Sequence, residues 1–165
     1  MSPTIATART VGRAELLEFL RPRHRGMLAT TRGDGRPQLS PVTCGVDPDG
    51  RIVVSTYPDR AKANNARRDP RVSIVVQSDD WSGEYVQVDG AAEVLDMPDA
   101  VDGLVEYFRC ISGEHPDWDE YRAAMQLQDK SLIRITIERW SPIATGGFPP
   151  DVAARLETGA GGQAS

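Results

Sequence analysis

Apolar positions change their period several times along the chain, and each change marks an element. Residues 12–20 set Leu16, Leu17, Phe19 and Leu20 beside Glu15 and Glu18, which predicts an amphipathic helix ended by Pro22. Residues 26–32 and 36–44 read as two strands joined by the tight turn Gly33-Asp34-Gly35, so the pair is a hairpin. Pro37 and Pro41 lack N–H donors, which predicts an edge position or a bulge for the second strand. A turn at Asp47-Pro48-Asp49-Gly50 leads into Ile52, Val53 and Val54, a short β-branched run of the kind a buried strand uses. Residues 71–77 form the next β-branched strand. After a turn at 79–83, residues 84–95 alternate as a strand, with Gly90 as its expected bulge.

The second half of the chain returns to a helical period. Val101, Leu104, Val105, Phe108 and Ile111 make one stripe over residues 98–111, and Trp118, Tyr121 and Met125 a shorter one over 117–126. Residues 131–140 alternate strictly and give the last strand. Small polar residues at 1–11 predict a frayed N-terminus, and the Gly-Ala run predicts a disordered tail over 151–165. One domain, residues 12–150, remains. About six strands with short turns and flanking helices describe an α+β fold built on a small, mainly antiparallel barrel.

The strand ending in Ser55 and Thr56 runs into a turn, Tyr57-Pro58, and then into a short helix expected over residues 60–68. Asp59 is its expected N-cap, and Asp69-Pro70 stops it. A strand that feeds a helix start aims unpaired backbone N–H groups and the positive end of a dipole at one spot. Arg60 and Lys62 add two charges there, an arrangement suited to a phosphate; a solvated basic helix face is the plainer reading. The chain has two lysines against seventeen arginines, and one of those two stands at 62. A compact ammonium suits a tight phosphate pocket better than a guanidinium fork does.

Composition narrows the function classes. A net charge of −5 argues against non-specific binding to nucleic acid or to an anionic membrane. No apolar run has the length of a membrane helix and no secretory pattern opens the chain, so a cytoplasmic protein is expected. Cys44 and Cys110 have no metal or redox spacing and read as reduced thiols, one in a strand and one in a helix. His24 and His115 stand without neighbouring ligands, which argues against a catalytic zinc. No Ser-His-Asp, Cys-His or paired-carboxylate arrangement claims a nucleophilic or acid–base role, so no catalytic residue is named.

The order of motifs resembles the pyridoxamine-5′-phosphate-oxidase-like split β-barrel family. The resemblance is carried by Leu28-Ala29-Thr30, residues 34–42 with the sequence DGRPQLSPV, Arg60-Ala61-Lys62 with Asn65, residues 68–73, and Gly90 before Ala91 and Glu93. It is closest to the actinobacterial branch of flavin/deazaflavin oxidoreductases that use coenzyme F420, and residues 113–122 look like the helical insert of that branch. The Arg-rich, Lys-poor composition agrees with that origin.

This resemblance implies a homodimer with two equivalent cofactor sites at the subunit interface. The cofactor phosphate would sit on Arg60 and Lys62. Ser55 and Thr56 would face the ribityl chain or ring, with Asn65 close by. Gln38, Ser40 and Thr43 would meet the polar edge of the ring, although Ser40 and Thr43 have opposite side-chain parity in a regular strand. Trp81 would reach across from the partner, and residues 146–150 would form one lip of the cleft. Each has a plainer structural role as well: strand-end hydroxyls, a half-exposed strand face, an edge-covering indole. The implied reaction is hydride transfer from reduced F420 to a small conjugated acceptor. The alternatives are an FMN enzyme of the same fold, or a carrier that binds the cofactor without turnover. Any proton would come from solvent or Tyr85. Arg67, Arg68 and Arg71 are candidate cations for an oligoglutamyl tail, or simply a solvated face.

Overall fold

Residues 2–160 are described by the computed structural model. In chain order the elements are β1 (Ala8–Arg9), α1 (Arg13–Leu20), β2 (Arg25–Thr31), β3 (Pro37–Val46), β4 (Ile52–Thr56), α2 (Ala61–Arg68), β5 (Arg71–Gln77) and β6 (Tyr85–Leu95), followed by α3 (Ala100–Ser112), α4 (Trp118–Leu127), β7 (Ser131–Trp140), β8 (Ile143–Ala144) and α5 (Pro150–Ala160). The six long strands follow the order β6-β5-β2-β3-β4-β7, all antiparallel, and β7 pairs again with β6 to close the barrel.

Strand alternation decides what lies inside. Leu28, Val54, Ile74, Val76, Val88, Ile133 and Ile135 point into the barrel and are buried together. Leu16, Phe19 and Leu20 of α1 seal one end of this core, and Ala66 of α2 reaches it from the other. The opposite face of β4 and β7 carries Val53 and Leu132, which α3 and α4 cover with Leu104, Val105 and Tyr121. Fully burying one such aliphatic side chain contributes roughly 1.5–3 kcal/mol, so the two clusters supply much of what holds α1, α3 and α4 on the barrel.

Gly90 forms the expected bulge: the register of β6 on β7 shifts between Asp89 and Gly90. A Cβ at 90 would run into the carbonyl oxygen of Thr136, so only glycine fits the close approach. Pro37 and Pro41 also lie where their missing donors do no harm. β3 pairs with β2 from Pro37 to Thr43 but with β4 only from Cys44 to Val46, so its first seven residues keep a free outer edge. That gap splits the barrel.

Both chain ends differ from expectation. Ala8 and Arg9 pair with Ala144 and Ile143, and Ile5 bridges to Phe148, so the N-terminal segment is laid against the barrel rather than frayed. The segment expected to be a disordered tail folds into α5, with Ala153 buried; residues 161–165 lie outside the described part. At the N-terminus strand pairing overrides a low local propensity, whereas Ala153-Ala154-Arg155-Leu156-Glu157 are good helix formers in their own right. No helix among the described residues is long and apolar enough to cross a membrane.

Candidate functional site

The end of the barrel closed by α2 gathers the polar residues. β2, β4 and β6 finish there, and β3, β5 and β7 begin there. α2 starts one residue later than expected. Its N-cap is Arg60, in extended backbone (φ −69°, ψ 146°), and no side chain caps it. Asp59 does not take the capping role; its carbonyl instead accepts a 3.4 Å bond from Asn64 Nδ2. The first turn contains no acidic residue. The exposed N–H groups and the positive end of the helix dipole are therefore left uncompensated by the protein.

Three cations surround this start. The Arg60 guanidinium lies 5.9 Å from the centre of the Tyr57 ring, and Lys130 Nζ lies 4.2 Å from the same ring. Lys62 is half-buried in the first turn. Burial first, then the charges of Arg60 and Lys130, push its pKa below the usual lysine value. Among the described residues none of the three has a carboxylate partner, whereas eleven of the seventeen arginines do. Both lysines of the chain thus meet at one place. Lys130 has no motif around it and enters only through the fold.

A hydrogen-bond chain runs from α2 to the free edge of β3. Asn65 Nδ2 donates to Thr30 Oγ1 at 3.1 Å, Thr30 Oγ1 donates to Gln38 Oε1 at 2.8 Å, and Gln38 Nε2 donates to Ser40 Oγ at 2.7 Å. Arg68 anchors the other end, donating to Asn65 Oδ1 and to the Thr31 carbonyl, both at 2.8 Å. Three sequence-predicted residues, Asn65, Gln38 and Ser40, come together in this way. Thr30 is the link between them; it belongs to the Leu28-Ala29-Thr30 motif but is not among the sequence-predicted site residues.

The remaining predicted residues separate. Even-numbered β3 residues turn inward and Thr43 turns outward, exposed, as its parity requires. On β4, Thr56 faces the barrel with Ile52 and Val54, buried, and its Oγ1 has no hydrogen-bond partner. Ser55 has the opposite parity and is half-buried on the other face of β4, and Tyr107 Oη of α3 donates to the Thr43 carbonyl at 3.0 Å. Ser55 and Thr56 therefore cannot line one ligand face together. Tyr107, on α3, fills the outer side of the split.

Trp81 lies at the far end of the barrel from Lys62. It is 87% exposed in the β5–β6 turn, and the seven residues of β5, roughly 20 Å of strand, separate it from the α2 end. It lines a hollow of about 520 Å³ with Tyr85, Gly146 and Gly147. Another hollow, about 590 Å³, lies on the outer face beside Ser73, Asp89 and Arg139. Its central carboxylate is satisfied within the hollow: Asp89 accepts from Ser73 at 2.6 Å and from Arg139 at 2.7 Å. The α2 end, with its unpaired charges, has the stronger chemical demand for a ligand.

Two of the three arginines considered for an anionic tail are engaged with carboxylates. Arg67 forms a two-pronged pair with Asp96 (2.7 and 3.0 Å), which also accepts from Ser131 Oγ, and Arg71 pairs with Asp69 at 2.9 Å. Arg68 is held by Asn65 and Thr31. Their role here is to fix α2 on the barrel.

A family model described as pyridoxamine 5′-phosphate oxidase matches residues 13–144, most of the chain. The chain belongs to the pyridoxamine 5′-phosphate oxidase family. Solved structures of similar fold include a conserved hypothetical protein of Mycobacterium tuberculosis, 27% identical, with TM-score 0.69 over 85% of this chain and 89% of that one. An F420 reductase is 25% identical, with TM-score 0.56 over 75% of this chain and 94% of that one. A heme binding protein of Mycobacterium smegmatis, 20% identical with TM-score 0.59 over 88% of this chain and 61% of that one, shares the fold. Within this family of barrels, the helix start and the split beside it are where this chain leaves cations and a strand edge unpaired among the described residues.

Proposed function

We propose that this protein is an oxidoreductase that binds coenzyme F420 and uses it to reduce a small conjugated acceptor. The observation that carries the reading is the uncapped start of α2, with Arg60 and Lys62 unpaired beside it. These residues fit a phosphate: the donors are cationic, they have no protein carboxylate, and the buried Thr56 hydroxyl nearby has bonding capacity to spare. The likeness to an F420 reductase at 25% identity favours the deazaflavin over FMN. FMN remains the second reading, because it too carries a phosphate on a ribityl chain and would use the same cations.

Hydride transfer is the chemistry such a cofactor supplies. The chain's own contribution is binding and orientation. Arg60 and Lys62 hold the tail, and the free edge of β3 with Gln38 and Ser40 offers polar groups along one side of the split. The Asn65–Thr30–Gln38 chain keeps that edge at a fixed distance from the helix. No side chain is assigned as a proton donor.

A second copy of the chain completes the proposal. The outer face of β2, β5 and the first seven residues of β3 exposes Leu39 at 59% and Met27 at 40%, whereas α3 packs on the end of β3 at Gly45. Packing two such faces together would bury both and bring the partner's remote Trp81 end toward the cation cluster. A cytoplasmic homodimer acting on a small-molecule acceptor is the assembly proposed. The test is a titration of purified protein with F420 and with FMN, read by fluorescence. Arg60→Ala and Lys62→Ala should each weaken binding by about 1.5–3 kcal/mol through loss of a charge-assisted hydrogen bond. Unchanged affinity in both variants removes the assignment.

A further inference from the structure

The register of β4 on β7 extends the site beyond the helix start. Thr56 is paired with Ser131, so the residues that extend these paired ends, Tyr57 after Thr56 and Lys130 before Ser131, lie side by side. That neighbourhood places Lys130 Nζ over one ring and Arg60 over the same ring, with Lys62 two residues further on. In a protein of net charge −5, where acids outnumber bases, three neighbouring cations without a carboxylate are an unrelieved repulsion. An anion relieves it, and one negative charge would relieve only part.

Resting on the cofactor reading above, we infer that Lys130 is a third ligand for the anionic tail of the bound cofactor, and that the site selects tails bearing at least two negative charges. A phosphate monoester dianion has that chemistry, and so does a phosphodiester extended by carboxylates. The cations first considered for such a tail, Arg67 and Arg71, are already paired with Asp96 and Asp69. Lys130 is free of any such partner and comes from the connection between α4 and β7, so the α3–α4 insert sets its position. Tail selection is thereby assigned to a residue outside the strand–helix motif.

The test uses the full chain and the substitutions Lys130→Gln and Lys130→Arg. Glutamine keeps most of the stem over Tyr57 and removes the charge. Lys130→Gln should weaken binding of F420 and of FMN about tenfold, leave riboflavin, which has no phosphate, unchanged, and flatten the salt dependence; Lys130→Arg should restore most of the loss. Which of the two phosphorylated cofactors loses more identifies the tail. Thermal unfolding gives a readout free of the cofactor: inorganic pyrophosphate should stabilise the wild-type protein more than dimethyl phosphate does, and Lys130→Gln should remove most of that difference. The inference is overturned if Lys130→Gln binds both phosphorylated cofactors as the wild type does, if riboflavin loses affinity equally, or if the monoanion stabilises as well as pyrophosphate. A loss in Lys62→Ala with none in Lys130→Gln contradicts this inference alone; no loss in either contradicts the proposed cofactor site itself.

Discussion

Asn65 of α2 donates from Nδ2 to Thr30 Oγ1 of β2 at 3.1 Å, and both residues are buried. This bond ties the helix that carries Lys62 to the strand that borders the free edge of β3. Truncating Asn65 to Ala leaves the Thr30 hydroxyl and one Arg68 donor short of a partner in a buried place. The expected loss is about 1–3 kcal/mol of stability. Urea unfolding of the variant checks it, and a midpoint equal to wild type would mean that α2 is held by apolar packing alone.

Gly90→Val should be worse tolerated than most substitutions in β6. Its side chain would press on the Thr136 carbonyl and on Ile135, inside the bulge that closes the barrel. A loss above about 2 kcal/mol is expected, or failure to accumulate as folded protein. A variant with wild-type stability would show that the bulge can open.

The fold was largely legible. β5 (Arg71–Gln77) and β7 (Ser131–Trp140) have the expected bounds because β-branched residues fill buried strands, and Gly90 marked its bulge. The edge character of Pro37 and Pro41 followed from their missing donors. Two of the three cations were also legible, since Arg60 and Lys62 sit in one helix start. Lys130 was not: it arrives 68 residues after Lys62 through the β4–β7 register, a non-local relation no local pattern carries. Thr30 stood in a recognised motif, but its bond to Asn65, 35 residues away, is non-local in the same way. Asp59 misled because a good capping residue one position early looks identical in sequence to a cap. The helix formers of α5 were obscured by the Gly-rich residues that follow them.

Lys62 gives the protein a pH dependence with a definite sign. Its folded pKa lies below the ordinary 10.5 because burial and two neighbouring cations oppose its charge. The unfolded chain therefore binds the proton more tightly, and stability of the ligand-free protein rises with pH between the depressed value and 10.5. Comparing wild type with Lys62→Met as pH is raised toward 10.5 should show the wild type gaining stability relative to the variant. Anion binding acts in the opposite direction, favouring the charged lysine. Affinity for a phosphorylated ligand should fall as pH rises through this range. A pH-independent difference between the two proteins would contradict the crowding of the three cations.

Cys44 and Cys110 should be poor nucleophiles in the folded state. Burial is the main cause in both, pushing Cys44 up to about 12 and Cys110 up to about 11. At neutral pH almost no thiolate is present, so an aromatic disulfide reagent should label both slowly and label both promptly after denaturation. Rapid labelling of the native protein at Cys44 would mean that the barrel core opens readily.

The central claim is that the start of α2 holds the anionic tail of a bound cofactor, and the binding of F420 to wild-type protein and to Lys62→Ala tests it most directly. Fluorescence titration should show tight binding to the wild type, weaker binding of FMN, and a loss of about 1.5–3 kcal/mol for either in the variant, with riboflavin unaffected. Equal affinity of wild type and variant for both phosphorylated cofactors would contradict the account.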